Sequence, residues 1–373
     1  MNTRIHILHY GLADSFHVGG IETYIKKIID HIDLNRFQID FLVFKGSEPC
    51  FYEDLLSKGC KFHFVTSRKQ SNYKNIYEIR NLYKKENFDI IHCHQNSLSY
   101  ITPCIEACKM HIPVIVHSRN ASMVASPLSK FLHWINYYRL QKLPVIRVAV
   151  SDLAGKWMFG KKEFAVLNNG VDTRLFSFSQ KNRDRIRKSL NIEAETEVFL
   201  NVGKFRKQKN HLFLLRVFAE YLKINPKAVL LLVGDGELKD EIKKKIVEYG
   251  IVEKVFLLGA RKDVSQILSA ADKFLFPSLY EGFPNALIEA ECSGLQCVVS
   301  DTITKQAVFS ELCEALSLNE PIEKWCKVMS KDVNIIDRMD ASLVVEQRGL
   351  DINSEIQRIS NLYTQLISRK FCK

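Results

Sequence analysis

Two glutamates eight residues apart, Glu281 and Glu289, stand on either side of a break in regular structure in Phe276-Pro-Ser-Leu-Tyr-Glu-Gly-Phe-Pro-Asn-Ala-Leu-Ile-Glu289. Lys273 to Phe276 suit a short buried strand. Gly282 and Pro284 interrupt it, and Asn285-Ala-Leu-Ile-Glu-Ala restarts as helix with Asn285 near its N-cap. Glu281 then lies on the loop and Glu289 about one turn into the helix, with the unsatisfied N–H groups of the helix start directed between them. Such a place suits a diphosphate carrying a sugar at each end. Backbone amides and the positive end of the helix dipole take phosphate oxygens, and each carboxylate accepts hydrogen bonds from sugar hydroxyls. Taken alone, the pair reads equally well as a solvated loop carboxylate and a surface helix carboxylate.

Other stretches offer complementary chemistry. In Asn201-Val-Gly-Lys-Phe-Arg-Lys-Gln-Lys-Asn-His211, Lys204, Arg206, Lys207 and Lys209 crowd the loop that follows a strand, with Lys209 at the start of the next helix. Loop charge commonly serves solubility alone, but at the carboxyl edge of a parallel sheet it can hold phosphate. Gly19-Gly20 lies between a strand and a helix and lets backbone approach a ligand; glycine pairs also make ordinary turns. Asp89-Ile-Ile-His-Cys-His94 ends a strand with His92 and His94 on one face. No third ligand is spaced in the sequence to complete a metal site with them. His117 ends the strand Val114-Ile-Val-His117, where a lone histidine is more often structural than catalytic. Val233-Gly-Asp-Gly-Glu-Leu238 lacks the full spacing of a dinucleotide loop and reads as a tight turn.

The elements that position these residues form two alternating sets. Strands are expected over Arg4–Leu12, Phe37–Phe44, Lys61–Val65, Asp89–His94, Val114–His117 and Val145–Val150, with a helix after Gly20 on the spacing of Ile21, Tyr24, Ile25, Ile28, Ile29 and Ile32. Ser151-Asp152 reads as a helix cap, and the polar stretch from Asp172 to Arg187 as the interdomain connection. A second set has strands over Glu197–Asn201, Ala228–Val233, Val255–Leu258, Lys273–Phe276 and Gln296–Ser300. Beyond Asp301 the pattern weakens until helices over Pro321–Ser330 and Ile352–Lys370. The expectation is an α/β chain of two doubly wound domains, 1–175 and 190–350, with a final helix over 351–373.

The 373 residues have room for two cores, and 46% hydrophobic with 25% charged residues is a globular composition. Without a signal-peptide core or a long uncharged apolar run, the reading is a cytoplasmic chain that crosses no membrane. The ten cysteines show no C-x-x-C pair and read as reduced thiols. A net charge of +11 predicts acidic partners without choosing among nucleic acid, anionic lipid and phosphorylated small molecules. From Ala107 to Ser151 there is no Asp or Glu, while six Lys or Arg alternate with Phe131, Trp134, Tyr137 and Tyr138. Either these aromatics face the core, or the stretch is a basic aromatic surface that meets a membrane.

Tyr280-Glu-Gly-Phe-Pro-Asn-Ala-Leu-Ile-Glu289 resembles the E-x7-E signature of retaining GT-B glycosyltransferases of family 4, and in detail the bacterial exopolysaccharide and capsule type. The resemblance extends over nearly the whole chain, through Gly19-Gly-Ile-Glu22, Asp89–His94, Ile115–Asn120, Val148–Asp152, Asn168–Asp172, Val202-Gly203 and Lys209-Asn210. It implies two Rossmann-like domains facing across a cleft, the first for the acceptor and the second for a nucleotide sugar. It further implies that Glu289 binds ribose and Lys209 the diphosphate. Glu281 with Gly282 and Phe283 would face the donor sugar, and the amides near Asn285, Ala286 and Leu287 would meet phosphate. Ala260 and Arg261 would lie by the base, and His117 near donor sugar and acceptor. Lys204, Arg206, Gly19 and Gly20 complete the expected contacts. Two departures stand out: Lys204 replaces an arginine common in the family, which removes a bidentate fork, and Arg119 replaces a frequent second histidine. The resemblance implies transfer with retained configuration and no cofactor or metal. Its partners would be a UDP-sugar, a polyprenyl-diphosphate-linked or oligosaccharide acceptor and the anionic inner face of the cell membrane, with no part for nucleic acid. A sugar-nucleotide epimerase of the same architecture and a non-catalytic nucleic-acid-binding protein are the competing readings.

Overall fold

The first sheet is built from strands that bury both faces, as parallel strands covered by helices do: Ile7, Leu8, Ile90, Ile91, Val114, Ile115 and Val116 are all inaccessible to solvent. In the computed structural model, which describes residues 4–12, 19–122, 126–331 and 338–371, these strands are β1 (Ile5–Tyr10), β2 (Phe37–Phe44), β3 (Lys61–Val65), β4 (Ile90–Gln95), β5 (Val114–Ser118), β6 (Ile146–Ala149) and β7 (Ala165–Val166). They pair in parallel in the order β3-β2-β1-β4-β5-β6-β7. The second sheet contains β8 (Val198–Val202), β9 (Val229–Val233), β10 (Val255–Gly259), β11 (Lys273–Phe276), β12 (Gln296–Ser300) and β13 (Cys313–Leu316). Its order is β10-β9-β8-β11-β12-β13, again parallel. In each sheet the order reverses beside the first strand, between β1 and β4 and between β8 and β11, which makes the carboxyl ends of those pairs the places where a ligand can enter.

The chain divides into two units, one of Met1–Asn169 with Asn353–Lys373 and one of Gly170–Ile352. In the first, helix Gly20–His31 buries Ile21, Tyr24, Ile25, Ile28 and Ile29 on one stripe against β1 and β2. Each fully buried isoleucine there contributes about 1.5–3 kcal/mol. Helix Ile352–Phe371 joins the same core through Ile359 and Tyr363. In the second unit, helices His211–Tyr221 and Ile322–Met329 bring Leu214, Phe218, Trp325 and Met329 onto Phe199, Leu230 and Val298.

Outside the candidate site the fold departs from the sequence expectations in three places. The polar stretch expected to connect the domains belongs to the second unit: helix Gln180–Ser189 is capped by Ser179 and anchored by Arg183 and Arg187, each 2.7 Å from a carboxylate oxygen of Asp272. Strand β13 went unpredicted because Cys-Glu-Ala-Leu carries no alternation, its place being set by parallel pairing with β12. The acid-free stretch contains helix Pro127–Gln141, and the reading that its aromatics all face the core fails. Phe131, Trp134 and Tyr138 are 56%, 58% and 54% exposed; Tyr137 is half-buried.

Candidate active site

In the second unit, the carboxyl edges of β8 and β11 carry the basic loop and the first glutamate. After β8 the chain does not enter a helix at Lys209 as expected. Lys207–Lys209 form a 3-10 turn closed by Asn210 in the left-handed conformation at φ 56°, which asparagine tolerates better than most residues, and the helix begins at His211. The turn sends the Lys209 side chain along Gly203, where even a Cβ would come within 3.1 Å of Lys209 Cε. Lys209 Nζ ends 4.5 Å from the centre of the Phe276 ring and 2.8 Å from Glu281 Oε1. Gln208, which no sequence motif marks, crosses the same gap: its Nε2 donates to the Tyr280 carbonyl (2.9 Å) and to Glu281 Oε2 (3.3 Å), and its backbone carbonyl accepts from the Leu279 N–H (2.8 Å). Its short polar side chain between lysines gave no signal in the sequence. A buried carboxylate is thus held by one ammonium and one amide at a place both could release to a ligand.

Gly282 and Phe283 are buried beside Glu281. Helix Asn285–Cys292 has Pro284 at its N-cap with Asn285 next to it as expected, so Asn285, Ala286 and Leu287 form the first turn. The Leu287 N–H, expected to meet phosphate, already donates to the Pro284 carbonyl at 3.0 Å, and the Leu287 side chain is buried. Glu289 is half-buried one turn on. Lys204 is half-buried, Arg206 is exposed with its Nε 3.8 Å from Glu237, and Phe205 between them is buried. Beyond β10, Ala260 is exposed and Arg261 is engaged by both oxygens of Asp263 at 2.8 and 2.6 Å. Two residues past Glu289, Glu291 is buried and accepts from Ser310 Oγ at 2.8 Å; burial pushes its carboxyl up to about 8.

In the first unit, Gly19 caps the helix that Gly20 opens, and its N–H donates to Glu22 Oε2 at 2.8 Å. The helix start expected to face an anion is therefore filled by the chain's own carboxylate. His117 at the end of β5 is completely buried, with Nδ1 3.1 Å from His92 Nε2 and Nε2 3.2 Å from Arg119 Nη1. The Arg119 guanidinium lies 3.5 Å over the Tyr24 ring and donates to Asn169 Oδ1 at 3.0 Å.

His92 and His94 do acquire a third nitrogen partner, contrary to expectation. The parallel register sets His9 of β1 beside His92 and His94 of β4 beside His117 of β5, so all four imidazoles gather on one face. Potential ligand atoms of His9, His92 and His94 lie within 4.8 Å of one another. Tyr363, from helix Ile352–Phe371, places its hydroxyl 2.7 Å from His92 Nδ1 and 3.2 Å from His9 Nε2. Burial lowers the pKa of all four imidazoles, that of His9 to about 3. These residues lie far apart along the chain, and the β1-β4-β5 order usual for a doubly wound sheet brings them together.

The family model described as Glycosyl transferases group 1 matches residues 182–311, and that described as Glycosyltransferase Family 4 matches residues 18–175. The chain is 30% identical to the putative glycosyltransferase EpsF of Bacillus subtilis over 92% of this chain and 93% of EpsF. It is 27% identical to an Escherichia coli UDP-Gal:alpha-D-GlcNAc-diphosphoundecaprenol alpha-1,3-galactosyltransferase over 99% of both chains. Among solved structures, Anabaena HepE in complex with UDP and glucose shares the fold with a TM-score of 0.77 at 17% identity, covering 97% of this chain and 100% of HepE.

Proposed function

The chain belongs to the glycosyltransferases of group 1 and family 4, and from that membership we propose that it moves a hexosyl or N-acetylhexosaminyl group from a UDP-sugar, with retained anomeric configuration, to a polyprenyl-diphosphate-linked or oligosaccharide acceptor in bacterial surface-polysaccharide synthesis. Its two parallel-sheet units are those of the GT-B fold. The observation that carries the reading is the Lys209–Glu281 pair at the carboxyl edges of β8 and β11. A cation held by a buried carboxylate is ready to pass to a diphosphate, leaving the carboxylate to accept from a sugar hydroxyl. UDP is the nucleotide of choice because the galactosyltransferase relative uses UDP-Gal by name and HepE is bound to UDP.

In this reading the bond from the sugar C1 to the β-phosphate oxygen breaks as the acceptor oxygen bonds C1 on the same face, and the acceptor proton passes to the departing phosphate. Charge growing on that diphosphate is offset by Lys209, Lys204 and Arg206 together with the first-turn amides of helix Asn285–Cys292. Glu289 takes the ribose hydroxyls, and His117 belongs to the sugar side of the reaction. The acceptor chemistry follows the relatives named for undecaprenol-diphosphate sugars.

A lipid-linked acceptor requires a surface that meets lipid, and among the described residues no helix is long and apolar enough to span a membrane. Helix Pro127–Gln141 supports peripheral docking: Leu128, Phe131, Trp134 and Tyr138 recur on one exposed stripe, accompanied by Lys130, Arg139 and Lys142. Incubation with a panel of UDP-sugars tests the function directly. Slow UDP release without acceptor, accelerated by a polyprenyl-diphosphate sugar, is expected; interconversion of UDP-sugars without UDP release would support the epimerase instead.

A further inference from the structure

Five hydrogen-bond separations join Arg119 to His94 in one unbranched series. They run from Arg119 Nη1 to His117 Nε2 (3.2 Å), His117 Nδ1 to His92 Nε2 (3.1 Å), His92 Nδ1 to Tyr363 Oη (2.7 Å), Tyr363 Oη to His9 Nε2 (3.2 Å) and His9 Nδ1 to His94 Nε2 (3.0 Å). All four imidazoles are buried and their partners in the series are nitrogen and hydroxyl groups, none of them a carboxylate, so each ring is neutral and carries a single N–H.

Arginine can only donate. His117 Nε2 must therefore accept, which leaves the proton of His117 on Nδ1, pointing at His92 Nε2. His92 then carries its proton on Nδ1 and gives it to the Tyr363 oxygen; the Tyr363 hydroxyl donates to His9 Nε2, and His9 Nδ1–H donates to His94 Nε2. His94 is left with its proton on Nδ1, and that atom is the one imidazole nitrogen in the series with no hydrogen-bond partner. Reversing the series would set an imidazole N–H of His117 against an arginine N–H. Turning round only the half from His94 to Tyr363 would leave the Tyr363 O–H without an acceptor in the series, so one direction alone gives each link its proton and the hydroxyl an acceptor.

We propose that Arg119 in the free protein, and Tyr363 throughout, act as positioning residues that hold His117 as the Nδ1–H tautomer, so that its Nε2 offers a lone pair, and never a proton, to a sugar hydroxyl that arrives in place of Arg119. The consequence for transfer rests on the reading of His117 as a residue of the sugar site; the tautomer itself does not. Tyr363 is well placed for this task because its ring packs edge-on to Phe37 and His92, which fixes the hydroxyl. The C-terminal helix thereby reaches the chemistry through a single oxygen atom.

The test is the long-range proton–nitrogen spectrum of the full chain labelled with 15N-histidine, freed of metal by chelation, with the four rings assigned by single substitutions. The expected result is Nδ1 protonated and Nε2 unprotonated in His9, His92, His94 and His117, the tautomer an isolated histidine adopts less often, without titration from pH 6 to 8. An Nε2 proton or a cationic ring at any of the four overturns the proposal, as does a pattern rewritten by stoichiometric Zn2+, which would make His9, His92 and His94 a metal site. Tyr363→Phe keeps the ring and removes the link. It should alter the His92 and His117 signals and lower kcat by on the order of tenfold with KM for the UDP-sugar near the parent value. Arg119→Lys, which keeps a donor, should preserve the parent tautomers, while Arg119→Met should not. Unaltered kcat in Tyr363→Phe with the predicted spectrum would overturn the positioning role. Absence of any transfer by the parent would instead count against the proposed function, leaving the spectrum to judge the tautomer.

Discussion

Lys209 Nζ stands 2.8 Å from Glu281 Oε1, so the cation assigned to the donor diphosphate and the carboxylate assigned to the donor sugar neutralise one another. The two substitutions should therefore separate. Lys209→Ala removes a charge-assisted contact and weakens UDP binding by about 1.5–3 kcal/mol. Glu281→Gln releases the ammonium, so UDP should bind at least as tightly while turnover falls. Calorimetric titration with UDP decides, and equal losses in the two variants would refute the division of labour.

Glu289 lies on the helix, where a ribose-binding carboxylate would serve UDP and UDP-sugar alike. Glu289→Ala should weaken both by similar factors. If UDP affinity stays at the parent value while UDP-sugar affinity drops, Glu289 contacts the sugar and the ribose assignment fails.

The exposed stripe of helix Pro127–Gln141 predicts reversible attachment to anionic vesicles that weakens with salt, since each basic residue near such a surface is worth on the order of 1 kcal/mol. Replacing Phe131 and Trp134 by Ser should reduce co-sedimentation without lowering thermal stability, because both are more than half exposed. Charge reversal at Lys130, Arg139 and Lys142 should abolish it. Unchanged sedimentation in these variants would remove the helix as the docking face.

The two units should respond to pH with opposite sign. In the first, the four imidazoles have folded pKa values below the free value, so their contribution is complete above pH 6.5 and is lost as pH falls below it, by up to about 1.4 kcal/mol per pH unit for each ring. In the second, Glu291 is raised to about 8, so the proton it retains stabilises the fold fully below the usual carboxylate pKa, and that contribution is lost as pH rises toward 8. Glu291→Gln should remove the part of the fall in melting temperature that lies between pH 4.5 and 8 and leave the loss at lower pH alone. A profile unchanged by the substitution would mean that Glu291 is ionised in the fold.

Much of this molecule is written in local sequence. Strands such as Phe37–Phe44, Lys61–Val65, Lys273–Phe276 and Gln296–Ser300 have the predicted bounds because apolar runs between turn residues suffice to define them. The residues matched to the glycosyltransferase signature also lead to the Lys209–Glu281 pair. What stayed hidden depends on register and distance along the chain. His9, His92 and His117 are separate strand residues until parallel pairing aligns them, and Tyr363 is one apolar-face position of an amphipathic helix until that helix enters the core. Likewise Glu22 reads as part of a motif, and only the backbone at Gly19 reveals that it fills the helix start.

Sugar transfer with retention is decided by the stereochemistry of the product. The parent protein should be given the UDP-sugar that releases UDP fastest together with a synthetic polyprenyl-diphosphate monosaccharide, and the new glycosidic bond analysed by NMR. The prediction is one UDP formed per sugar transferred and an anomeric centre with the α or β configuration of the donor. An inverted centre, or UDP-sugar consumed with no sugar added to the acceptor, would contradict it.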